Sequence, residues 1–397
     1  LIKKMTKRKK LSFSNKLTKL NISEIIWFAY DTPVDSFDKA DPNQILINIK
    51  KTLNKANDKK FVIISSQLSV GTTKLLEDYA KKVLKKDFYF FYCPENLRLG
   101  NALNSFLNPE RLVIGYRNKD AKNKILNFFE TISKSLLWMK TESAEMTKHA
   151  INSFLASSVT FINEIASISE YTKADAREVE EGLKSEPRIG RKAFLSPGNP
   201  FSGGTLGRDV GYLNQISDRL KMKSVLINSI ITSNDNHKKW IFERLEKIIK
   251  NKKIKKVSLW GLAYTNNTNT LRRSFAIEIA KWLKDKKIKV SGYDSKINIL
   301  PKEIKKLLTK LNSPLSNIKS ADILIICNNS NEFLKISEKK LKKLNKNLIV
   351  IDPNNFCNNL QNVLKNNYIC VGKPSLTNIN RQKKLNLQLR FKNKVIL

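Results

Sequence analysis

The sequence predicts an α/β fold: two doubly wound, Rossmann-like domains flanking a segment of long helices. Three observations predict it. Short apolar runs alternate with helical stretches through the first third of the chain. Residues 143–249 carry long apolar periodicity of helical type with almost no strand signal. From residue 257 onward the strand and helix alternation returns.

In the first third, residues 25–29 (IIWFA) and 61–65 (FVIIS) are short apolar runs of buried-strand type, separated by a helical stretch over 43–57. The segment Ser69-Val70-Gly71-Thr72-Thr73 opens another helix, and 88–92 and 112–115 are further strands. Strands alternating with helices predict a parallel sheet with crossovers. The helical middle has one interruption, a Gly/Pro-rich loop over 196–207. In the last third, 257–262, 290–293, 323–327 and 348–351 read as strands and 274–284 as an amphipathic helix, a second doubly wound unit. The expected domains are 1–140, 141–249, 250–375 and a basic, unpatterned tail over 376–397.

With 397 residues the chain can bury several cores, and 41% of its residues are apolar in short runs, the pattern of a soluble globular protein. None of those runs approaches the roughly 20 residues of a membrane helix, and no apolar h-region follows the basic start. No membrane is expected as a partner. Four cysteines lie far apart without a CxxC pair, and only two histidines accompany them, so a Cys/His metal site is not expected and a reducing cytoplasm fits. The net charge of +39 is compatible with a polyanion partner. Its lysines are scattered along helix faces, as over 335–346, in the manner of a compositional bias towards Lys, Asn and Ile. Without an aromatic-interleaved basic patch, no specific nucleic acid is expected.

Two stretches carry chemistry. Glu145, Lys148 and Asn152 recur at spacings of three and four, which puts them on one helix face. On spacing alone this is a solvated polar stripe. Aimed at one oxygen, the lysine and amide would stabilise charge developing there. The second stretch, SPGNPFSGGTLGRD over 196–209, has glycines that allow close backbone approach to a ligand, and Asp209 stands where it could cap the next helix.

These stretches keep company. GNAL (100–103) and FLNPERLVIG (106–115), SAEMTKHAINSFLA (143–156) and FINEIA (161–166) follow one another in order. So do Arg188-Ile189-Gly190, the glycine-rich loop, and Gly261-Leu262-Ala263-Tyr264 with Asn267-Thr268 and Arg272-Arg273-Ser274. Asp31-Thr32-Pro33 and residues 66–73 stand upstream. From about residue 12 to 355 the chain resembles the UDP-glucose/GDP-mannose (nucleotide-sugar) 6-dehydrogenase family.

That resemblance implies an NAD-binding Rossmann domain, a helical dimerising centre and a C-terminal domain that holds the nucleotide. It implies oxidation of a sugar C6 alcohol to a carboxylate in two hydride transfers to NAD, within polysaccharide precursor synthesis in the cytoplasm, by a homodimer acting on a nucleotide sugar. A cysteine in such enzymes captures the intermediate aldehyde covalently. By resemblance, Lys148 stabilises the oxyanion with Asn152 as its amide partner. Asp209 positions water or acts as base, and Glu95 in Pro94-Glu95-Asn96-Leu97 helps hydrolyse the thioester. Arg188, Gly203, Gly204, Tyr264 and Arg272 match substrate-contacting positions, and Thr32, Pro33 and Gln67 the cofactor side.

The departures from the pattern are as informative. Thr205 stands at the position of the catalytic cysteine, and a hydroxyl without an activating base is a far weaker nucleophile than a thiolate. Gln67 replaces a threonine that orients water, Leu99 a second acidic residue, Thr265 a substrate-contacting lysine and Asn354 an arginine in Asp352-Pro353-Asn354-Asn355. Cys93, beside Pro94-Glu95, is either a stand-in nucleophile or a packed residue. No G-x-G-x-x-G turn precedes Ile25, so the resemblance begins partway through the NAD domain, and that domain is expected to be incomplete by about two βαβ units. The expectation is therefore a dehydrogenase with an altered or impaired second oxidation, or else a non-catalytic nucleotide-sugar-binding homologue or a truncated fragment.

Overall fold

The computed structural model describes residues 2–33, 41–95, 97 and 100–373. Leu99 and the basic tail lie outside the described residues. The chain divides into two compact units, Leu1–Ile151 and Asn152–Leu397.

The first unit is built on a five-stranded sheet in the order β1 (Ile25–Phe28), β2 (Phe61–Ile64), β3 (Tyr89–Tyr92), β4 (Leu112–Tyr116), β5 (Leu136–Lys140). The alternation of strand and helix gives parallel pairing for β1–β2–β3, with Ile26 opposite Val62 and Val62 opposite Phe90. The expectation of a wholly parallel sheet is corrected at one step: β3 meets β4 antiparallel, Phe91 opposite Tyr116, and β4 and β5 then run parallel to each other. Among the described residues, the link between β3 and β4 holds one short helix, Ala102–Leu107, and such a connection can reverse the chain's direction. Helix α1 (Asn43–Lys55) buries Ile45, Ile49 and Leu53, and α2 (Thr72–Lys82) buries Leu76 and Ala80, against Val62, Ile64 and Phe90. The other sheet face packs on α3 (Lys119–Glu130), whose cap Asn118 accepts from Ala121 N. Gly115 belongs where it is: a Cβ there would stand 2.8 Å from the Thr141 Cα.

Helix α4 (Thr141–Thr172) crosses the division between the units. In the second unit, α5 (Ala176–Ser185), α6 (Arg208–Arg219) and α7 (Val225–Asn251) complete the helical middle that the periodicity predicts. This middle belongs to the same unit as the C-terminal sheet, because buried polar groups join them. Glu170 takes hydrogen bonds from Trp240 Nε1 at 2.7 Å and Gly372 N at 3.1 Å and pairs with Arg244, while Ala176 N donates to Gly372 O.

The second sheet is wholly parallel, in the order β11 (Tyr368–Ile369), β10 (Ile349–Ile351), β9 (Ile323–Ile326), β6 (Lys256–Trp260), β7 (Lys289–Tyr293), β8 (Thr309–Lys310). The winding reverses between β6 and β9, and ligands of such sheets bind at the carboxyl ends of the strands at that reversal. Strands β9 and β10 are buried along their whole length, as apolar runs covered on both faces should be. Helix α8 (Phe275–Asp285) packs Ala276, Ile279 and Leu283 into this core.

Candidate active site

At the carboxyl ends of β1, β2 and β3 the chain turns through Thr32, Ser66, Gln67 and Glu95. Thr32 Oγ1 donates to Gln67 O at 2.5 Å, and both residues are buried. Pro33 lies beside them, and its carbonyl accepts from Asp41 N at 2.9 Å. Ser66 is buried, and its hydroxyl finds no partner among the described residues.

The N-terminal turns of α4 meet this edge. Lys148 is buried and its ammonium donates to the Glu95 carbonyl at 2.6 Å. The Glu95 carboxylate, exposed, accepts from Leu97 N at 2.6 Å. Glu145 is fully buried and takes three hydrogen bonds, from Gly71 N at 2.6 Å, Thr73 N at 2.9 Å and Thr73 Oγ1 at 2.7 Å. The polar stripe of the sequence is thus no solvated face. Burial raises the Glu145 carboxyl above its ordinary range, against those hydrogen bonds. His149, also fully buried, donates from Nε2 to Leu68 O at 2.9 Å. His149 carried no signal in the sequence, since its partner is a backbone carbonyl.

In the second unit, Asn152 Nδ2 donates to Asp209 Oδ2 at 2.5 Å, the amide nearly and the carboxylate wholly buried. Asp209 stands in the first turn of α6, where a helix N-terminus favours an anion. The glycine-rich loop before it ends in a single π-helical turn, Gly203–Gly207, with Thr205 exposed on it. Gly204 faces Arg273: a Cβ on it would come within 3.0 Å of the Arg273 guanidinium. Arg272 is exposed on the same turn, and Tyr264 N donates to Thr270 O at 2.8 Å to close the loop after β6. The structure does not draw Arg188 in with these groups. Its side chain is 88% exposed and pairs with Glu186 at 2.8 Å, an ion pair worth little in water.

Upstream, the same loop is pinned to the end of β10. Asn354 Oδ1 accepts from Asn199 N at 2.8 Å, and Asn354 Nδ2 donates to Asn329 Oδ1 at 2.8 Å. Arg177 reaches the Asn354 and Pro197 carbonyls and pairs with Glu180 at 2.8 Å. These residues wall a polar cleft of about 760 Å³ that also takes in Asn355, Asn359 and Lys373, at the carboxyl ends of β9 and β10. Arg177 had no motif to announce it. At the reversal of the sheet, Asp294 Oδ2 accepts from Leu262 N and Ala263 N, both at 2.9 Å. Gly261, with φ of +87°, leaves no room for a Cβ against Asn328.

The four cysteines lie among the described residues. All four are free, and Cys93 is 3% exposed, its thiol pushed by burial up to about 12. Burial likewise pushes Cys370 up to about 12, and Cys327 and Cys357 upward, with the Asp352 carboxylate adding to the last two. Cys93 is therefore a packed residue, not a nucleophile. Among the described residues no cluster suits a metal ion and no helix is long and apolar enough to cross a membrane.

Two α/β sheets with polar groups gathered at their carboxyl edges define a nucleotide-binding protein of the doubly wound class. Residues 1–133 match the NAD binding domain of the UDP-glucose/GDP-mannose dehydrogenase family, 142–236 its central domain and 258–359 its UDP binding domain. The UDP-glucose 6-dehydrogenase TuaD of Bacillus subtilis is 30% identical over 385 residues, covering 95% of this chain and 82% of the relative. The UDP-glucose 6-dehydrogenase of Rickettsia bellii is 30% identical over 362 residues, covering 89% and 80%. A UDP-glucose dehydrogenase structure from Pyrobaculum islandicum superposes with a TM-score of 0.79 at 21% identity, covering 90% of this chain and 83% of that one. The chain belongs to the UDP-glucose/GDP-mannose dehydrogenase family, a family of oxidoreductases.

NAD is the cofactor of that first domain, and the residues present fit it. The carboxyl ends of the parallel strands β1 and β2 carry Thr32, Pro33 and Gln67, and the buried hydroxyl of Ser66, without a partner among the described residues, has a hydrogen bond left to make.

Proposed function

We propose that this chain is an NAD-dependent nucleotide-sugar dehydrogenase that oxidises the sugar C6 alcohol and releases the aldehyde, its second oxidation impaired. The buried Asn152–Asp209 pair, at 2.5 Å, is the observation that carries the reading. It puts an amide and a carboxylate where the glycine-rich loop enters α6, so a carboxylate that can take a proton is held at the loop designed for close ligand approach. Lys148 stabilises the oxyanion that develops on the alcohol oxygen. Thr32, Pro33 and Gln67 would hold NAD, which would supply the hydride acceptor. Alcohol and NAD⁺ give aldehyde, NADH and a proton.

The second step is where the chain departs from its relatives. Thr205 is exposed, and all four thiols are pushed upward and so protonated at neutral pH, three of them buried and Cys327 partly so, which leaves the aldehyde without a covalent anchor. Glu95, which the resemblance assigns to thioester hydrolysis, is left to hold Lys148 through its carbonyl. Arg273 near Gly204, Arg272 and Tyr264 recognise the nucleotide sugar together with the amide-lined cleft. Arg188, exposed, is available to a second subunit. The homodimer is supported by Phe154, Phe161 and Ile168, which stand 72%, 48% and 58% exposed at seven-residue intervals along α4. The cytoplasm, with polysaccharide precursors as product, is the proposed setting.

The same Thr205 and buried thiols favour a second reading, a non-catalytic nucleotide-sugar-binding homologue. Calorimetric titration with NAD and separately with UDP-glucose tests the pair. Binding of both supports the dehydrogenase; binding of UDP-glucose alone supports the homologue.

A further inference from the structure

Three consecutive anchors on α4 hold the loop that follows β2 and the turn that follows β3. Glu145 accepts from the Gly71 and Thr73 amides, His149 Nε2 donates a hydrogen bond to Leu68 O, and Lys148 donates to Glu95 O, at 2.6 to 2.9 Å. Thr32 adds a fourth bond, to Gln67 O. Residues 67–73 are thus fastened by their backbone at both ends, and Ser66 and Gln67 are held at the edge assigned to the cofactor. An ordinary helix cap would not need Glu145, since a serine or threonine at the cap position serves. Here the cap position is Gly71, left-handed at φ of +91°, with no side chain to offer. The carboxylate instead comes from another helix, fully buried, at the site where the helix N-terminus presents bare amides.

We propose that Glu145 is a positioning residue for NAD binding: it locks residues 67–73 in the conformation the cofactor meets and ties that loop to the helix carrying Lys148. The idea deepens the dehydrogenase reading and rests on it for the ligand. It does not rest on the chemistry of Thr205 or Asp209.

The test is Glu145→Gln in the full chain. The amide retains a single acceptor oxygen and sets a donor against the Gly71 and Thr73 amides. Loss of hydrogen bonds to a charged group corresponds to about tenfold or more in affinity. The expected result is a dissociation constant for NAD raised at least about tenfold, with UDP-glucose affinity unchanged within about twofold. Hydrogen exchange at the Gly71 and Thr73 amides should quicken by a similar factor. A general loss of structure would weaken both ligands alike, and that outcome overturns the proposal. So does an NAD affinity within about twofold of the parent. If Glu145→Gln fails to fold, Thr73→Val, which removes one donor to the carboxylate, should give the same split on a smaller scale. If the parent chain binds no NAD, the cofactor reading fails by itself. The amide exchange then decides alone, and unchanged protection of Gly71 and Thr73 in the variant sinks the positioning role.

Discussion

Asn152 Nδ2 donates to Asp209 Oδ2 across 2.5 Å, joining the second unit's part of the long helix to the first turn of α6. Both residues are buried, so the bond fixes the end of the glycine-rich loop as well as the carboxylate. Replacing the amide with an isosteric apolar group, Asn152→Leu, withdraws a hydrogen bond from a fully buried anion. Such a loss costs about 1–3 kcal/mol. Urea unfolding should show a lower midpoint with an unchanged slope; an unchanged midpoint would mean the pair contributes nothing to stability.

Lys148 supplies the positive charge in the proposed reaction. Lys148→Ala should lower turnover by roughly 10²–10³, the scale of losing one oxyanion donor, while UDP-glucose still binds. Steady-state kinetics beside calorimetry checks this. Unaltered turnover would remove Lys148 from the reaction.

Thr205 is the simplest place to alter the product. Thr205→Cys puts an exposed thiol on the π-helical turn, next in sequence to Gly204, which faces the Arg273 guanidinium. The variant should carry the aldehyde on to the carboxylate, which mass spectrometry of the sugar nucleotide would detect. Continued release of aldehyde alone would show that more than the thiol is lacking.

The buried thiols give a pH dependence with a definite sign. Burial holds Cys93 and Cys370 at about 12, above the ordinary value of 9.0. From about pH 9 upward the unfolded chain loses these protons while the folded chain keeps them. Stability from this source is complete below pH 9 and falls as pH rises towards 12. This source leaves thermal melts level from pH 7 to about 9 and lowers them from there upward, and a thiol reagent should modify Cys93 only after unfolding. Rapid labelling of Cys93 in the folded protein would contradict its burial.

The stripe Phe154, Phe161, Ile168 should close against a second copy. Phe161→Glu places a charge in the middle of that face and should shift sedimentation from dimer towards monomer. A parent chain that sediments as monomer would discard the homodimer.

Much of the fold is legible in the sequence, and its omissions have physical causes. Strands such as β2 and β9 announce themselves because both sheet faces are covered and the run is continuously apolar. Strand β5, at the sheet's edge, is half-exposed and leads straight into α4, so LLWMK carries no alternation to separate it from the helix. Strands β8 and β11, two residues each, are too short for any period. The antiparallel step from β3 to β4 leaves no mark on composition. At the site, helical spacing groups Glu145 with Lys148, and the loop pattern singles out Asp209. The partners of Lys148 and His149 are backbone carbonyls, which no residue type encodes. Arg188 shows the converse, a matched position whose side chain stands in solvent.

The most direct measurement is the number of NADH molecules formed for each UDP-glucose consumed, with an aldehyde trap present. One NADH for each sugar, together with trapped aldehyde, is the expected result. Two NADH with a carboxylate product, or none while UDP-glucose binds, would contradict the account.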